Sequence, residues 1–212
     1  AAARAAVRRA LNHGDTSVVQ TALQVVSLWR DQHPNDRLTS LLAAENPALV
    51  RAAAEAVGRI GGAWAIDGLL AAAGRLPETK FTATGTPENS ADRTLEHALI
   101  YALIEIGQRD PVLAQVKSAG NPRLVRIALV ALDQMAGGNL APDDVLPWLK
   151  SSVPVMKQTA AWTVGHHPEW GGALASFYRG RLTAKSQTDA ERGELQGQLA
   201  LLAKATAIQE LL

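Results

Sequence analysis

The sequence predicts an all-α fold: a right-handed α-α superhelix, a solenoid of about six helix pairs. Three observations carry this reading: one helical pattern recurs, a capping residue opens each copy, and glycine closes most of them. The clearest copy runs from Asn46 to Gly61 and aligns with Asp15 to Arg30, Asp92 to Gly107, Asn121 to Ala136 and Ser152 to His167. The start-to-start offsets are 31, 46, 29 and 31 residues, a period typical of arrays that stack one helix pair per unit.

Within each copy the apolar residues fall at i, i+3/i+4 and i+7, the stripe of a helix buried on one face. The Leu49 position is held by Val18, Leu95, Leu124 and Val155, the Val57 position by Val26, Leu103, Leu132 and Thr163, and the Ile60 position by Trp29, Ile106, Met135 and His166. Small residues recur too. Ala22, Ala53 and Ala128 share one site and Ala56, Ala102 and Ala131 another, which lets neighbouring helices approach closely. Asp15, Asn46, Asp92, Asn121 and Ser152 stand where a side-chain oxygen would accept from the first free backbone N–H groups. Pro47 and Pro122 follow directly, where the missing N–H has no cost. Gly61-Gly62, Gly107 and Gly137-Gly138 supply left-handed stops.

Shorter apolar stretches lie between these helices, at Leu38–Ala44, Trp64–Ala73, Val112–Val116 and Val145–Leu149, and each is expected to be the second helix of a pair. Ala1–Leu11 reads as half of an earlier pair. Trp170–Arg181 and Asp189–Lys204 form the last pair, with Ser186 or Thr188 as cap, and Ala207–Leu212 begins another unit. The long offset comes from Leu76–Ala91, a Pro-, Thr- and Ser-rich polar insertion (76–91) of the kind that lies on one face of a solenoid and contacts partners or is simply tolerated.

The window resembles the HEAT-like (PBS-lyase-type) repeat of HEAT/armadillo-like solenoids: an acidic or amide residue, Pro, Val-Arg, then an Ala-rich helix ending in Gly. The resemblance covers nearly all of the chain and its motif occurs five times. Arg51 and Arg126 match the family's arginine, Lys157 and His97 are weaker replacements, and Gln20 departs from it. In the family that arginine bonds the acidic residue of a neighbouring unit, so the resemblance implies a structural ladder.

Composition narrows the function classes. The chain of 212 residues is 47% hydrophobic but only 4% aromatic, an excess of alanine suited to close helix packing in one array, 1–212. With 21 basic and 20 acidic residues the net charge is +1, whereas a chain gripping nucleic acid through phosphates carries a strong basic excess. Cysteine is absent, which removes disulfides, thiolate metal sites, a catalytic cysteine and haem attachment. The sequence has no apolar run long enough to span a membrane. It starts without Met and begins and ends inside helical pattern, so a fragment of a larger protein is expected.

Asp92–Ile106 and His167-Pro168-Glu169-Trp170-Gly171 look like segments of large haem-binding proteins from planctomycete-type bacteria. Those combine a propeller resembling a sugar dehydrogenase, a HEAT-like array and a c-type cytochrome domain. The resemblance implies that this chain is the middle section and that its setting is periplasmic or extracytoplasmic. It carries no redox activity to this chain, which lacks the cytochrome's haem-attachment motif, and no cofactor is expected.

No set of catalytic residues emerges, and no metal site. His166-His167 are adjacent and so point about 100° apart on a helix, and Glu169 is the lone acidic neighbour. A turn fixed by Pro168 is the expected role. Glu96 and Glu105 are too far apart along one helix for a carboxylate pair. Asp143-Asp144 reads as the cap of a helix starting at Val145. Trp29, Trp64, Trp148, Trp162 and Trp170 are read as core and inter-repeat packing.

The most informative candidates lie opposite the core stripe, at positions equivalent to Arg51, Ala54, Glu55 and Gly58. The third copy places His97, Ile100, Tyr101 and Ile104 there; the fourth places Arg126, Leu129, Val130 and Asp133; the fifth places Lys157, Ala160, Ala161 and Val164. In HEAT arrays this helix lines the concave side, and an apolar patch across three repeats marks a contact surface. The alternative is burial against adjacent repeats. The predicted partner-binding residues are thus His97, Ile100, Tyr101, Ile104, Arg126, Val130, Asp133, Lys157 and Ala161. The function expected is a non-enzymatic interaction scaffold holding a protein partner or a flanking domain of its own parent chain. The alternatives are a nucleic-acid-binding or base-excising HEAT-like protein and, on repeat resemblance alone, a pigment-attachment lyase type.

Overall fold

The computed structural model describes residues 2–33, 35–76, 90–118 and 120–211, and over them the fold is all-helical, without a strand. Two units form, Ala1–Asn139 and Leu140–Leu212. The first holds α1 (Ala2–Ala10), α2 (Thr16–Trp29), α3 (Asn35–Leu42), α4 (Pro47–Ile60), α5 (Ile66–Gly74), α6 (Ser90–Ile106), α7 (Arg109–Lys117) and α8 (Pro122–Gln134). Each even-numbered helix rests on the odd-numbered helix before it, and α2, α4, α6 and α8 stand side by side in that order. These are the helix pairs that the repeat pattern predicts, arranged in two layers.

The caps act as expected where the start is well marked. Asn46 accepts from Ala48 N at 2.9 Å, Asn121 from Arg123 N at 2.9 Å and Asp15 from Ser17 N at 2.8 Å. Gly61 closes α4 in the left-handed region at φ 76°, which a side chain rarely adopts. Burial then drives the layer together: Val26, Ala53, Val57, Ala102, Leu103, Ala128 and Leu132 are all at most 1% exposed. At Gly58 the approach is closest, since a Cβ there would stand 2.8 Å from Ala102 Cα.

The pairs are also linked end to end. Arg37 Nε donates to Leu11 O beyond α1 at 3.0 Å, Arg75 Nη2 to Leu42 O at the end of α3 at 2.7 Å, and Asn121 Nδ2 to Gly74 O at the end of α5 at 3.0 Å. Each satisfies a helix-terminal carbonyl that has no intrahelical donor, so the register between successive pairs is held through backbone atoms of the odd-numbered layer.

A buried carboxylate holds α1 to the end of α2. Arg30 sits at φ 46° and closes a Schellman turn, with Arg30 N donating to Ser27 O and Asp31 N to Val26 O. That turn buries Asp31, 1% exposed, where Arg8 donates to both its oxygens at 2.9 and 2.7 Å. The Arg8 hydrogen bonds hold the Asp31 carboxyl below the usual carboxylate range, with smaller help from the His33 amide and Arg4. A depressed folded-state value stabilises the fold above the ordinary unfolded value of about 3.9, and that contribution is lost as pH falls through the folded value. Asp31→Asn is therefore expected to melt lower than wild type at pH 7, and the difference should shrink on acidification below about pH 4. A gap in melting temperature that stays constant from pH 7 to pH 2 would contradict this.

The second unit holds α9 (Pro142–Leu149), α10 (Pro154–His166), α11 (Gly171–Leu182), α12 (Asp189–Leu201) and the short α13 (Thr206–Gln209). Thr188 caps α12 in a reciprocal box, its Oγ1 accepting from Glu191 N and its N donating to Glu191 Oε2 at 2.8 Å. Its core centres on Met156, Val164, Leu174, Tyr178, Leu199 and Ile208. Tyr178 is fully buried, and burial pushes its hydroxyl up to about 12.

Several local expectations are corrected. Helix α6 starts at Ser90, so Asp92 lies inside its first turn instead of preceding it. Helix α10 is entered through Val153 with Pro154 at its first position, one residue later than a Ser152 cap implies. Helix α9 starts at Pro142, not Val145, with Asp144 accepting from Ala141 N at 3.1 Å. Trp29 and Trp162 are 39% and 43% exposed, so neither is a core residue. The polar insertion at 76–91 falls largely on 77–89, which lies outside the described residues.

Candidate protein-interaction surface

One row of side chains per helix faces away from the odd-numbered layer of the first unit. In α2 the row is Gln20, Gln24 and Leu28; in α4, Arg51, Glu55 and Arg59; in α6, His97, Tyr101 and Glu105; in α8, Arg126, Val130 and Gln134. The spacing is i, i+4, i+8. The positions equivalent to Ala54 and Gly58 do not belong to it: Leu23, Ala54 and Leu129 are at most 1% exposed, and Ser27 is also buried. The reason is packing on three sides. A helix inside a layer touches a neighbour on each flank as well as the helix beneath, so a strip narrower than half its circumference stays in solvent. Ile100 and Ile104, at those inward positions, are half-buried accordingly.

The row carries exposed apolar groups among polar ones. Leu28 is 71% exposed and Tyr101 47%. The His97 ring lies parallel to Tyr101, with centroids 6.4 Å apart and planes within 5°. A hydrogen bond to Glu105 raises the Tyr101 hydroxyl above its ordinary value and leaves the ring in solvent. Arg51 and Glu55 pair at 3.9 Å.

Two hollows flank the Glu55–Arg59 ridge. One, of about 250 Å³, lies between α4 and α6 and is lined by Thr94, His97, Ala98 and Tyr101 with Glu55 and Arg59. The other, of about 220 Å³, lies between α2 and α4 and is lined by Leu23, Gln24, Ser27, Leu28 and Ala52 with the same two charged residues.

Beneath this face an ion cluster ties α6 to α8. Glu96, 3% exposed, pairs with Arg126 and stands 3.3 Å from Arg123 Nη2, itself 7% exposed. Desolvation lowers the Arg126 guanidinium from its usual value. The expected ladder thus exists at Arg126, where the arginine meets an acidic residue of the preceding pair. At Arg51 the partner lies on its own helix.

In the second unit a groove of about 590 Å³ runs between α10 and α12, lined by Pro154, Lys157, Ala161, Trp162, Gly197 and Leu201 among others. Lys157 pairs with Glu194 at 3.6 Å, and Glu194 also receives Arg181 at 3.3 Å. Trp162 stands edge-on to His166 with centroids 4.1 Å apart.

Of the predicted partner-binding residues, His97 and Tyr101 are exposed on α6. Ile100, Ile104, Arg126, Val130 and Asp133 are half-buried in the first unit, and Lys157 and Ala161 are half-buried in the second-unit groove. The basic residues that a nucleic-acid reading requires are largely engaged: Arg51 by Glu55, Arg126 by Glu96 and Lys157 by Glu194. Leu28, Arg59 and Arg123 were not among the predicted partner-binding residues, and Trp162 was read as packing. The i+8 step from Gln20 and Arg51 would have found the first two, and the Arg123/Arg126 spacing of three on one helix face would have found the third. Among the described residues no group of three or more His, Asp or Glu side chains stands close enough to hold a metal ion, and no helix is long and apolar enough to cross a membrane.

Residues 3–83 match the family model of HEAT repeats. Over that stretch the array is of HEAT type. No curated protein matches the chain. Among solved structures it is similar to the complex of CpcE and CpcF of phycocyanin lyase from Nostoc sp. PCC7120, at 20% identity and TM-score 0.48 over 96% of this chain and 79% of that one. An engineered protein is similar at 15% identity and TM-score 0.44, over 99% and 97% of the two chains.

Proposed function

We propose that this HEAT-type array is a non-enzymatic interaction scaffold that binds a protein, a separate partner or a flanking domain of its own parent chain, on the face of α2, α4, α6 and α8 turned away from the odd-numbered layer, the side expected to be concave. The observation that carries the reading is the exposure of Leu28 and Tyr101 on the rows that flank α4 in one helix layer. An isolated layer would place polar residues there, and exposed aromatics ringed by polar groups are the usual anchors of interfaces. The α10–α12 groove with Trp162 offers the second unit a surface of similar character. If the parent chain is of the propeller–HEAT–cytochrome kind that the sequence resembles, the bound domain is a neighbour in that chain and the setting is extracytoplasmic.

Tyr101→Asp tests the reading. Because Tyr101 is half in solvent, the variant is expected to melt within about 2 °C of wild type. Affinity capture from the source organism, or against the flanking domains, should then recover a partner with wild type that the variant holds at least about tenfold more weakly. Equal recovery by both proteins would sink the proposal for this face.

A further inference from the structure

The two hollows of the first unit share a wall, and that wall carries a charge with no ion-pair partner among the described residues. Glu55 is occupied by Arg51 at 3.9 Å. Glu105, the other carboxylate of the face, receives the Tyr101 hydroxyl. Arg59 is exposed, and no ion pair or hydrogen bond engages it among the described residues. This exposed residue therefore stands between two hollows, open to a carboxylate.

Resting on the scaffold reading above, we infer that the segment this face recognises places two apolar side chains in the two hollows and a carboxylate between them, on Arg59. Size supports the first part. Hollows of about 250 and 220 Å³ each admit one large side chain, one against the His97 and Tyr101 rings and the other against Leu23 and Leu28. They lie in adjacent interhelical grooves, which are separated by about 8–10 Å in packed helices. A polyproline-II segment has three residues per turn and rises about 3.1 Å per residue, so residues i and i+3 share a face about 9 Å apart and serve as the anchors, with the acid at i+1 or i+2. Charge supports the second part. Arginine offers a planar fork of donors that a carboxylate can meet with two hydrogen bonds, while a lysine in the segment would face Arg59 as a like charge.

The test uses two labelled peptides, one with a Leu-Glu-Glu-Leu core and one with Leu-Lys-Lys-Leu, titrated by fluorescence polarisation against the 212-residue protein and its Arg59→Glu variant. The acidic peptide should bind wild type at least about tenfold more tightly than the basic one. The order should reverse in Arg59→Glu, and Leu28→Ala should weaken both. Arg59 and Leu28 are exposed, so both variants are expected to fold. Absence of saturable binding, or acidic-peptide binding unchanged in Arg59→Glu, overturns the inference. Either result leaves the scaffold reading standing or falling on the Tyr101→Asp capture alone.

Discussion

Glu96→Ala is expected to destabilise the protein more than any surface substitution, by about 3–5 kcal/mol, with a fall in melting temperature of roughly 10 °C. The carboxylate is 3% exposed and serves the buried Arg123 and the half-buried Arg126. Removing it takes from two largely desolvated guanidinium groups the carboxylate that they share. The decisive control replaces the whole cluster: Glu96→Leu with Arg123→Met and Arg126→Met removes the charges together and should regain most of the loss, because an apolar cluster has no desolvation penalty. Thermal melts followed by circular dichroism would decide. A single variant within about 1 °C of wild type would mean that the cluster contributes nothing to holding α6 and α8 together.

The second large effect is expected at Gly58. A Cβ added there would lie 2.8 Å from Ala102 Cα and 3.1 Å from its Cβ. The nearer obstacle is backbone, so no rotamer change relieves it and α4 must move off α6. Alanine at an exposed helical site gains about 1 kcal/mol over glycine. Here the overpacking cost of about 1–3 kcal/mol opposes that gain and outweighs it, and Gly58→Val should cost about 3 kcal/mol. Ala102→Gly should rescue Gly58→Ala only in part, since it removes the farther contact and leaves the nearer one. Denaturant melts of the two single variants and the double variant measure this; a Gly58→Ala variant more stable than wild type would show that the helices separate freely. The spacing of α4 and α6 also sets the hollow beside Tyr101, so Gly58→Val should weaken partner binding as well as the fold.

These two sites show which parts of the protein were legible in sequence. The even-numbered helices were legible because caps and periodicity agree: Asn46 and Asn121 cap where the pattern starts, and Val57, Leu103 and Leu132 are buried where it requires. The candidate face was legible only in part. Period-3.6 reasoning assigns a helix one buried side, whereas α4 has neighbours on three, so Ala54 and Gly58 turn inward and Arg59 turns out. Helix α10 starts at Pro154, one residue later than a Ser152 cap implies, and Trp162, at the position of the buried Ala56, stands exposed. Asp31 was invisible because its burial depends on a left-handed Arg30, where no glycine signals the turn. The acid that Arg126 meets lies one repeat earlier, at Glu96. The family resemblance implied such a pairing, but periodicity within one helix cannot name the partner.

The central claim is that the face of α2, α4 and α6 is where a partner sits, and position-specific photo-crosslinking measures this most directly. A photoreactive side chain would replace Gln24 or Thr94, which line the two hollows, or Asp67, an exposed residue of α5 in the opposite layer. Gln24 and Thr94 are expected to yield the same crosslinked species, with none from Asp67. Crosslinks from Asp67 alone, or different species from Gln24 and Thr94, would place the partner elsewhere and contradict the account.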